Sequence, residues 1–421
     1  MDIVGDEYHG LLARHDAMRL RRSLLSAGER RPPAPPGRSP APYDGAADQR
    51  EILRGLDLVS PFDGLIAELY GELFRRWPYL RSLFPESMEF QRRHLAHIFQ
   101  YLIDHLHDPG EVTATFTRLG RDHRKLGVRP AHYEAFEAAL RQALRRTAGA
   151  RWTDAMERAW LRMLRFAVAA MVEGAEAALG EPPAWEAEVT AHERLRPDLA
   201  VVRVRTGEPY SYRAGQYAAV QSPQLPQAWR YYSFGCAPRP DGELEFHVRP
   251  AGRGGVSEAL VAHTRVGDIL RLGPASGTMT LDDDLTGDVL LVAGDTGWAP
   301  AKALLEDLSS GRAGQHGVHL FLGARGPAGL YDAETPARLA RRRPWLRVVP
   351  VIEDEPGPGA WESVADAVLR HGDWSRHTAF VAGPPALVRA TATRLLAAGV
   401  PAARVRHDPL PASRDRVLTA P

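Results

Sequence analysis

The first part of the chain has the hydrophobic period of helices. From residue 50 to residue 179, apolar residues recur three and four positions apart, which places them on one face of successive helices. The clearest segments are residues 65–73, 95–106, 135–144 and 159–179. Prolines lie between these segments and predict breaks, and no stretch alternates with a period of two. The pattern predicts an all-helical domain over residues 50–180.

Beyond residue 180 the pattern changes twice. Short alternating or clustered apolar runs, at 200–204, 217–220, 244–248 and 269–272, are separated by Gly, Pro and Asp. They predict a small antiparallel β-barrel over residues 181–286. Short apolar strands then alternate with helices, the strands at 289–293, 318–322, 346–352 and 378–382. This order predicts a doubly wound α/β domain over residues 287–421.

The first 49 residues differ from all three domains. Residues 9–25 could form an amphipathic helix, and residues 28–43 are rich in Pro and Arg. A segment of this composition buries too little apolar area to order itself. We therefore expect a largely disordered N-terminal arm over residues 1–49. The alternative is a helix that binds an unknown partner or a membrane surface.

Composition narrows the class of protein. The 421 residues include 53 Lys and Arg against 52 Asp and Glu, which argues against nucleic-acid binding driven by overall charge. A single cysteine, Cys236, excludes a disulfide framework and a zinc site built on several thiolates. No apolar run is long enough to cross a bilayer, and residues 1–10 lack the order of a secretory signal. We expect a cytoplasmic enzyme or sensor, with neither nucleic acid nor membrane as a partner.

Several unusual residues mark the helical domain. A lone helical histidine is usually a surface or core residue, but His123 opens the segment HRKLGVRPAHYEAF, 32 residues after Gln91 and ten before Tyr133. Tyr70 precedes Phe84 by fourteen residues. With these spacings, residues 50–179 resemble the globin domain of flavohaemoglobins. The resemblance implies a haem b group, with O₂ and NO as small-molecule substrates.

The resemblance also implies a role for each of these residues. His123 would be the axial iron ligand, and Phe84 would pack on the haem. Tyr70 and Gln91 would face bound oxygen, with Leu95 as an apolar wall that limits access of water. A neutral imidazole binds iron, and a phenol donor stabilises the charge that builds on the bound oxygen.

Flavohaemoglobins also support the proximal histidine with a tyrosine and a glutamate, which raise the basicity of the imidazole. Tyr133 fits the tyrosine. The glutamate is expected at Ala175, which Glu173 and Glu176 flank. Glu173 is the preferred candidate, and the alternative is that both carboxylates are simply solvated.

The barrel carries a second motif. The segment WRYYSF contains Arg230, Tyr232 and Ser233, and Arg230 follows Tyr217 by thirteen residues. It resembles the flavin-binding motif of ferredoxin-reductase-type modules. The resemblance implies that Arg230 neutralises the FAD pyrophosphate, Tyr232 packs on the isoalloxazine and Ser233 hydrogen-bonds near its reactive nitrogen. Tyr217 would be a further flavin contact, and ordinary barrel packing is the alternative for these aromatic residues.

Two glycine loops complete the reductase motifs. The first is Gly254, Gly255, Val256 and Ser257 before a helical run, where free N–H groups could hold the FAD pyrophosphate. A plain glycine turn is the alternative. The second follows the strand VLLVA and contains Gly294, Thr296, Gly297 and Pro300. It resembles the GGTGxAP loop that receives NAD(P)H, with Asp295 in place of the second glycine.

Other positions fit or depart from the family. Gly383 and Pro384 match the turn beside the nicotinamide, and Arg325 ends the second strand, where it could favour NADPH. Asp408 keeps the acid that flavohaemoglobins have near the C-terminus. Leu410 replaces the aromatic residue that covers the flavin, and Asp122 stands where the family often has a lysine before the proximal histidine.

The sequence thus predicts a flavohaemoglobin-like oxidoreductase with haem b, FAD and NAD(P)H. Electrons would pass from NAD(P)H through FAD to haem, and NO and O₂ would become nitrate. FAD is needed because nicotinamide delivers two electrons together, whereas haem iron accepts one at a time. The alternatives are a haem-based gas or redox sensor with slow turnover, and a haem-free flavin reductase on a globin-shaped adaptor.

Overall fold

The computed structural model describes residues 43–285, 287–311, 316–353 and 363–408. The stretch 9–25 of the predicted arm and Leu410 lie outside these residues. A helical domain is followed by an antiparallel sheet and then by a parallel sheet, which confirms the predicted multidomain fold class. Among the described residues, no helix is both long and apolar enough to span a membrane.

The helical domain contains six α-helices. They are α1 (Gly45–Arg54), α2 (Phe62–Arg76), α3 (Glu89–His105), α4 (Pro109–His123), α5 (Pro130–Ala148) and α6 (Asp154–Ala177). Regular structure therefore begins inside the segment 1–49 that the sequence analysis assigned to the arm. The buried carboxylate of Asp48 accepts hydrogen bonds from the Arg162 guanidinium, with Nε at 3.0 Å from one oxygen, and this pair joins α1 to α6.

The crossing of α4 and α6 depends on two glycines. A Cβ atom at Gly120 would collide with the backbone carbonyl of Met171, and one at Gly174 would collide with that of Thr117. The backbones of the two helices are therefore in direct contact. Asp108 caps α4 by accepting hydrogen bonds from two backbone N–H groups, each at 3.1 Å, and His123 is the last residue of the same helix.

The antiparallel sheet has six strands in the order β4-β3-β6-β1-β2-β5. They are β1 (Trp185–Arg196), β2 (Leu199–Thr206), β3 (Tyr217–Gln221), β4 (Trp229–Ser233), β5 (Glu243–Val248) and β6 (Ile269–Leu272). A bridge between Phe234 and Phe246 joins the chain just after β4 to β5, so the two edge strands approach each other. A short helix, α7 (Val256–Glu258), follows β5.

In its described residues, the last domain forms a parallel sheet of five strands in the order β11-β10-β7-β8-β9. Its strands are β7 (Val289–Gly294), β8 (Val318–Ala324), β9 (Leu346–Ile352), β10 (Thr378–Ala382) and β11 (Val405–Arg406). The α-helices are α8 (Trp298–Gly311), α9 (Glu334–Arg342), α10 (Val364–His371) and α11 (Pro385–Ala397). Since β7 pairs with β10, the loops that follow these two strands lie side by side.

Those two loops are in direct contact through glycines. A Cβ atom at Gly297, after β7, would collide with the backbone of Ala382 and Gly383. Gly383, after β10, has a φ of 143°, which favours glycine. In open α/β sheets, ligands bind at the carboxyl ends of the central strands, and this contact shapes that end of the sheet.

Candidate functional site

The histidine at the end of α4 has the properties of a metal ligand. His123 Nδ1 lies 3.0 Å from the carbonyl oxygen of Leu119. A carbonyl only accepts, so Nδ1 donates and the lone pair of Nε2 is available. Burial lowers the pKa of His123 to about 4, and the ring is therefore neutral at physiological pH. This donor chemistry fits an axial haem ligand.

The predicted distal residues lie on α2 and α3. Tyr70 is buried and packs edge to face against Phe84, with ring centroids 5.6 Å apart. Burial raises the pKa of Tyr70, so its hydroxyl stays protonated and can donate. Gln91 Oε1 is buried without a hydrogen-bond partner among the described residues. Leu95 lies one turn further along α3 and is half-buried. An unpartnered buried amide oxygen is the kind of group that a bound ligand satisfies.

The two predicted supports of His123 have different environments. Tyr133 is half-buried, and burial raises its pKa to about 12. Glu173 has an exposed side chain, and no hydrogen bond or ion pair joins it to another described residue. Glu176 is exposed as well. The role of Glu173 stays a prediction, and its exposure favours the solvated alternative.

The strand β4 holds the flavin motif beside β3. Tyr217 lies opposite Ser233 in the antiparallel register, and Ala218 lies opposite Tyr232. The guanidinium carbon of Arg230 lies 4.4 Å from the ring centroid of Phe90, a residue of α3. The cation predicted to bind the FAD pyrophosphate is thus in contact with the helical domain.

The first glycine loop turns tightly before α7. Gly254 has a φ of 71°, and its N–H donates to the carboxylate of Glu258. Gly255 precedes the first helical residue, Val256. Ser257 Oγ accepts a hydrogen bond from the N–H of Ala251 at 3.0 Å. One of the N–H groups predicted to hold a phosphate is therefore engaged by a carboxylate in this structure.

The second glycine loop belongs to a cavity of about 240 Å³ between the two sheets. Seven predicted site residues line it: Tyr232, Ser233, Thr296, Gly297, Pro300, Gly383 and Asp408. Gly294 ends β7 beside this loop, Pro384 directly precedes α11, and Arg325 is exposed after β8. Residues from the barrel, the nucleotide loop and the last strands thus meet at one place, where a flavin and a nicotinamide could stack.

The cavity also contains an acid with an unpartnered oxygen. Asp408 Oδ1 is buried and has no hydrogen-bond partner among the described residues. Burial raises the pKa of Asp408 to about 6, and the positive charge of His407 opposes this shift. A buried polar atom without a partner, aimed at a cavity, fits a bound cofactor.

Asp295 adds a negative charge to the second glycine loop, at the position where the GGTGxAP pattern has a glycine. Its φ is 53°, in the left-handed region, and its carboxylate pairs with the Arg249 guanidinium of the barrel. Arg249 also pairs with Asp198 at 2.8 Å. The loop is therefore tied to the barrel by an ion pair.

The helical domain meets the barrel next to His123, through residues that the sequence analysis did not identify as functional. The Tyr231 hydroxyl donates to Asp122 at 3.2 Å. Lys125 is buried, pairs with Asp122, and lies 5.3 Å and 5.4 Å from the ring centroids of Trp229 and Tyr231. The sequence did contain a signal for this contact. Side chains of a strand point alternately to its two faces, which places Trp229 and Tyr231 on the face opposite to Tyr232.

Three family models match the chain in order. The Globin model matches residues 67–171, the oxidoreductase FAD-binding domain matches 186–280, and the oxidoreductase NAD-binding domain matches 291–393. These matches cover the helical domain, the barrel and the parallel sheet described above.

Similar proteins include bacterial reductases that use NAD(P). The reductase component of the naphthalene 1,2-dioxygenase system of Pseudomonas putida is 34% identical over 49% of this chain and 62% of its own length. The ferredoxin–NAD(P)⁺ reductase CarAd of Metapseudomonas resinovorans is 31% identical over 53% of this chain and 68% of its own length. The chain spans less than two thirds of the Pseudomonas reductase.

One solved structure is similar over all three domains of the chain. The flavohaemoglobin of Malassezia yamatoensis, crystallised with bound FAD and haem, aligns with a TM-score of 0.67. The alignment covers 86% of this chain and 98% of that one, at 16% identity. This likeness shows a shared fold.

Fold and site together define an NAD(P)H-dependent flavin oxidoreductase with a globin domain in the same chain. The chain belongs to the family of FAD- and NAD-binding oxidoreductases, and its domains have the flavohaemoglobin architecture. The predicted resemblance is therefore confirmed, and so are the predicted cofactors haem, FAD and NAD(P)H.

Proposed function

We propose that this chain passes electrons from NAD(P)H through FAD to haem iron and converts NO to nitrate. The overall reaction that balances is 2 NO + 2 O₂ + NAD(P)H → 2 NO₃⁻ + NAD(P)⁺ + H⁺. FAD supplies the conversion from hydride to single electrons, and haem supplies the oxygen chemistry. The side chains of the protein would bind and orient the cofactors and substrates, and they would exclude water from the sites.

One observation carries the proposal: the residue before His123 touches the strand that bears the flavin motif. Asp122 accepts a hydrogen bond from Tyr231, which directly precedes Tyr232. The end of α4 that would hold the iron and the strand that would hold the flavin are therefore neighbours. A short separation between donor and acceptor is the main structural requirement for electron transfer between two cofactors.

The chain's own residues divide the remaining work. Arg230 would neutralise the FAD pyrophosphate, and Tyr232 and Ser233 would orient the isoalloxazine. His123 would hold iron with a neutral ring. Tyr70 and Gln91 would hydrogen-bond the distal ligand, since one is a protonated buried phenol and the other has an unpartnered buried oxygen. Leu95 and Phe84 would limit access of water.

We also propose that NADPH is the better donor. Arg325 lies after the second strand of the parallel sheet, where a guanidinium can bind the 2′-phosphate of NADP. Its side chain is exposed and forms no ion pair with another described residue. An Arg325→Ala variant should lower the preference for NADPH over NADH by about tenfold, measured as the ratio of kcat/KM values.

Spectroscopy of the purified protein tests the electron path. NADPH added under argon should first bleach the flavin absorbance and then convert ferric haem to ferrous haem. After O₂ is admitted, NADPH-dependent NO consumption should proceed at many turnovers per second. Negligible turnover despite bound haem and FAD would contradict the proposal and favour a sensor. A Soret band that survives in His123→Ala would contradict the assigned iron ligand.

A further inference from the structure

The edge strand β5 carries two buried charged or polar residues that no motif assigned. Leu244, Phe246 and Val248 point into the barrel core. Glu245 and His247 alternate with them and therefore face the other side of the strand. Each has a side chain that is only 2% exposed. Burying a carboxylate beside an imidazole is costly unless both are well paired, and such a pair needs an explanation.

The NAD-binding domain supplies much of the pairing. One carboxylate oxygen of Glu245 forms an ion pair with the ammonium group of Lys302, a residue of α8. The guanidinium of Arg203, on β2, donates to the other oxygen at 2.9 Å. His247 Nε2 lies 3.0 Å from Glu245, and its Nδ1 lies 2.7 Å from the Tyr331 hydroxyl. Burial alone would raise the pKa of Glu245, but His247 and Lys302 outweigh it and hold that pKa well below its usual range. We call these five residues the Glu245 cluster.

The Glu245 cluster lies at the nicotinamide end of the site. His247 lines the same cavity as Ser233 and Thr296. The bridge between Phe234 and Phe246 explains this position, because it places the residue after Phe246 beside the end of the flavin strand. A Cβ atom at Gly235 would lie 3.0 Å from the His247 ring, so the imidazole fills the space beside that turn.

The elements held by the cluster are those that carry the nucleotide loop. Lys302 lies in the first turns of α8, directly after Thr296 and Gly297, and it also donates to the carbonyl of Gly235 at 3.0 Å. Tyr331 lies in the segment that follows β8, and β8 is the strand beside β7. A change in the cluster would therefore move the nucleotide loop relative to the flavin strand.

We infer that His247 is a positioning residue for hydride transfer, held by Glu245 and Tyr331 so that the nicotinamide ring rests at reacting distance from the flavin. This inference rests on the proposed function. The step it serves breaks a C4–H bond of dihydronicotinamide and transfers that hydrogen with both electrons to the flavin ring. The nicotinamide is oxidised and the flavin is reduced. Such transfers require reacting atoms to be almost in contact.

The test is anaerobic stopped-flow reduction of the bound FAD by NADPH in the full chain. Its variants are His247→Leu, His247→Gln, which keeps a donor toward Glu245, and Tyr331→Phe, which loses only a hydroxyl. Tyr101→Phe is the control, since it removes a partly buried hydroxyl's bonds to Thr115 and Glu111 in the globin domain. Three quantities are recorded: the limiting rate, the apparent Kd for NADPH, and the long-wavelength charge-transfer absorbance of the stacked rings.

We expect His247→Leu and Tyr331→Phe to lower the limiting rate about tenfold and to weaken the charge-transfer band, with a much smaller change in apparent Kd. His247→Gln should recover most of the rate, and Tyr101→Phe should equal the wild type. FAD content and the thermal midpoint of Tyr331→Phe should stay at wild-type values.

Three results would overturn the inference: wild-type limiting rates in the variants, an effect on apparent Kd alone, or rates that fall only in proportion to FAD content. If neither NADPH nor NADH reduces the wild-type FAD, the proposed function fails and the inference falls with it. If the wild-type FAD is reduced and the variants match it, the inference alone fails.

Discussion

The barrel uses its two edge strands for different kinds of junction. On β4, Trp229 and Tyr231 face the globin domain, and Tyr231 remains 59% exposed. On β5, Glu245 and His247 face the NAD-binding domain with side chains that are only 2% exposed. The first junction, among the described residues, consists of cation–ring contacts with partly exposed hydrogen bonds and ion pairs, whereas the second is a buried polar network.

This difference matches what each junction has to transmit. A hydride moves only between atoms that are almost touching, so a small misplacement slows it strongly. Electrons tunnel across larger gaps and tolerate small movements of the domains. A desolvated network with several fixed partners suits the first task, and a partly solvated contact suits the second.

Removal of the Glu245 carboxylate should have the largest effect. Glu245→Ala leaves Lys302 and Arg203 without their shared buried partner, which should destabilise the reductase domains by about 3–5 kcal/mol. Differential scanning calorimetry of the holoprotein measures this loss. The control is Glu181→Ala, which breaks an exposed ion pair with Arg121 and should cost less than about 1 kcal/mol. Equal losses in the two variants would contradict the comparison.

Loss of the cation at the globin junction should separate the two electron-transfer steps. Lys125→Met keeps the length of the side chain but removes its charge from between Asp122 and the rings of Trp229 and Tyr231. Reduction of haem by the reduced flavin should slow by about tenfold, while reduction of FAD by NADPH stays unchanged. Anaerobic stopped-flow absorbance follows both steps. An equal loss in both would show that this junction also positions the nicotinamide.

Titration of Asp408 in the cavity should change the stability of the folded protein moderately as the pH varies. The pKa of Asp408 is raised from its ordinary value of 3.8 to about 6, so the folded protein binds this proton more tightly than the unfolded chain. Its stabilisation is complete below pH 3.8 and is lost as the pH rises through about 6. His407 and Tyr217 are the titratable neighbours.

The matching variant is Asp408→Asn, which carries no charge at any of these pH values. The thermal midpoint of the wild type should fall relative to this variant between about pH 4 and pH 6.5 and change little at higher pH. A constant difference over that range would show that Asp408 titrates outside it.

The smallest effect should come from the hydroxyl that touches α4. Tyr231→Phe removes the hydrogen bond to Asp122 but keeps the ring beside Lys125 and its edge-to-face contact with Tyr217. Haem reduction should change by less than about twofold, because a bond in a partly exposed junction contributes little. A tenfold loss would mean that this hydroxyl, rather than the cation of Lys125, holds the junction together.

The sequence was most informative where the relevant residues are close together along the chain. Helical periods, strand alternation and the segment around Tyr232 and Ser233 are local patterns, and they predicted the fold class and the residues that now share a cavity. The turn after β7 could be predicted in the same way, because a strand, glycines and a helix follow one another there.

The Glu245 cluster could not be predicted, since its pairing depends on distant segments. Glu245 and Lys302 are 57 residues apart, and His247 and Tyr331 are 84 apart. Only the sheet register and the packing of two domains bring them together. A carboxylate and an imidazole that alternate with apolar residues in ELEFHV were a weak signal of a covered strand face. Lys125 was missed for the same reason, because its partners Trp229 and Tyr231 belong to another domain.

The glycine contact between α4 and α6 has a consequence for chimeric enzymes. Gly120 and Gly174 let the two backbones touch, and His123 stands one turn beyond that point. An engineer who grafts another oxygen-binding module onto this reductase would have to transplant both helices as a matched set. A replacement for one helix alone, with any side chain at the crossing, would push the end of α4 that carries His123 away from β4.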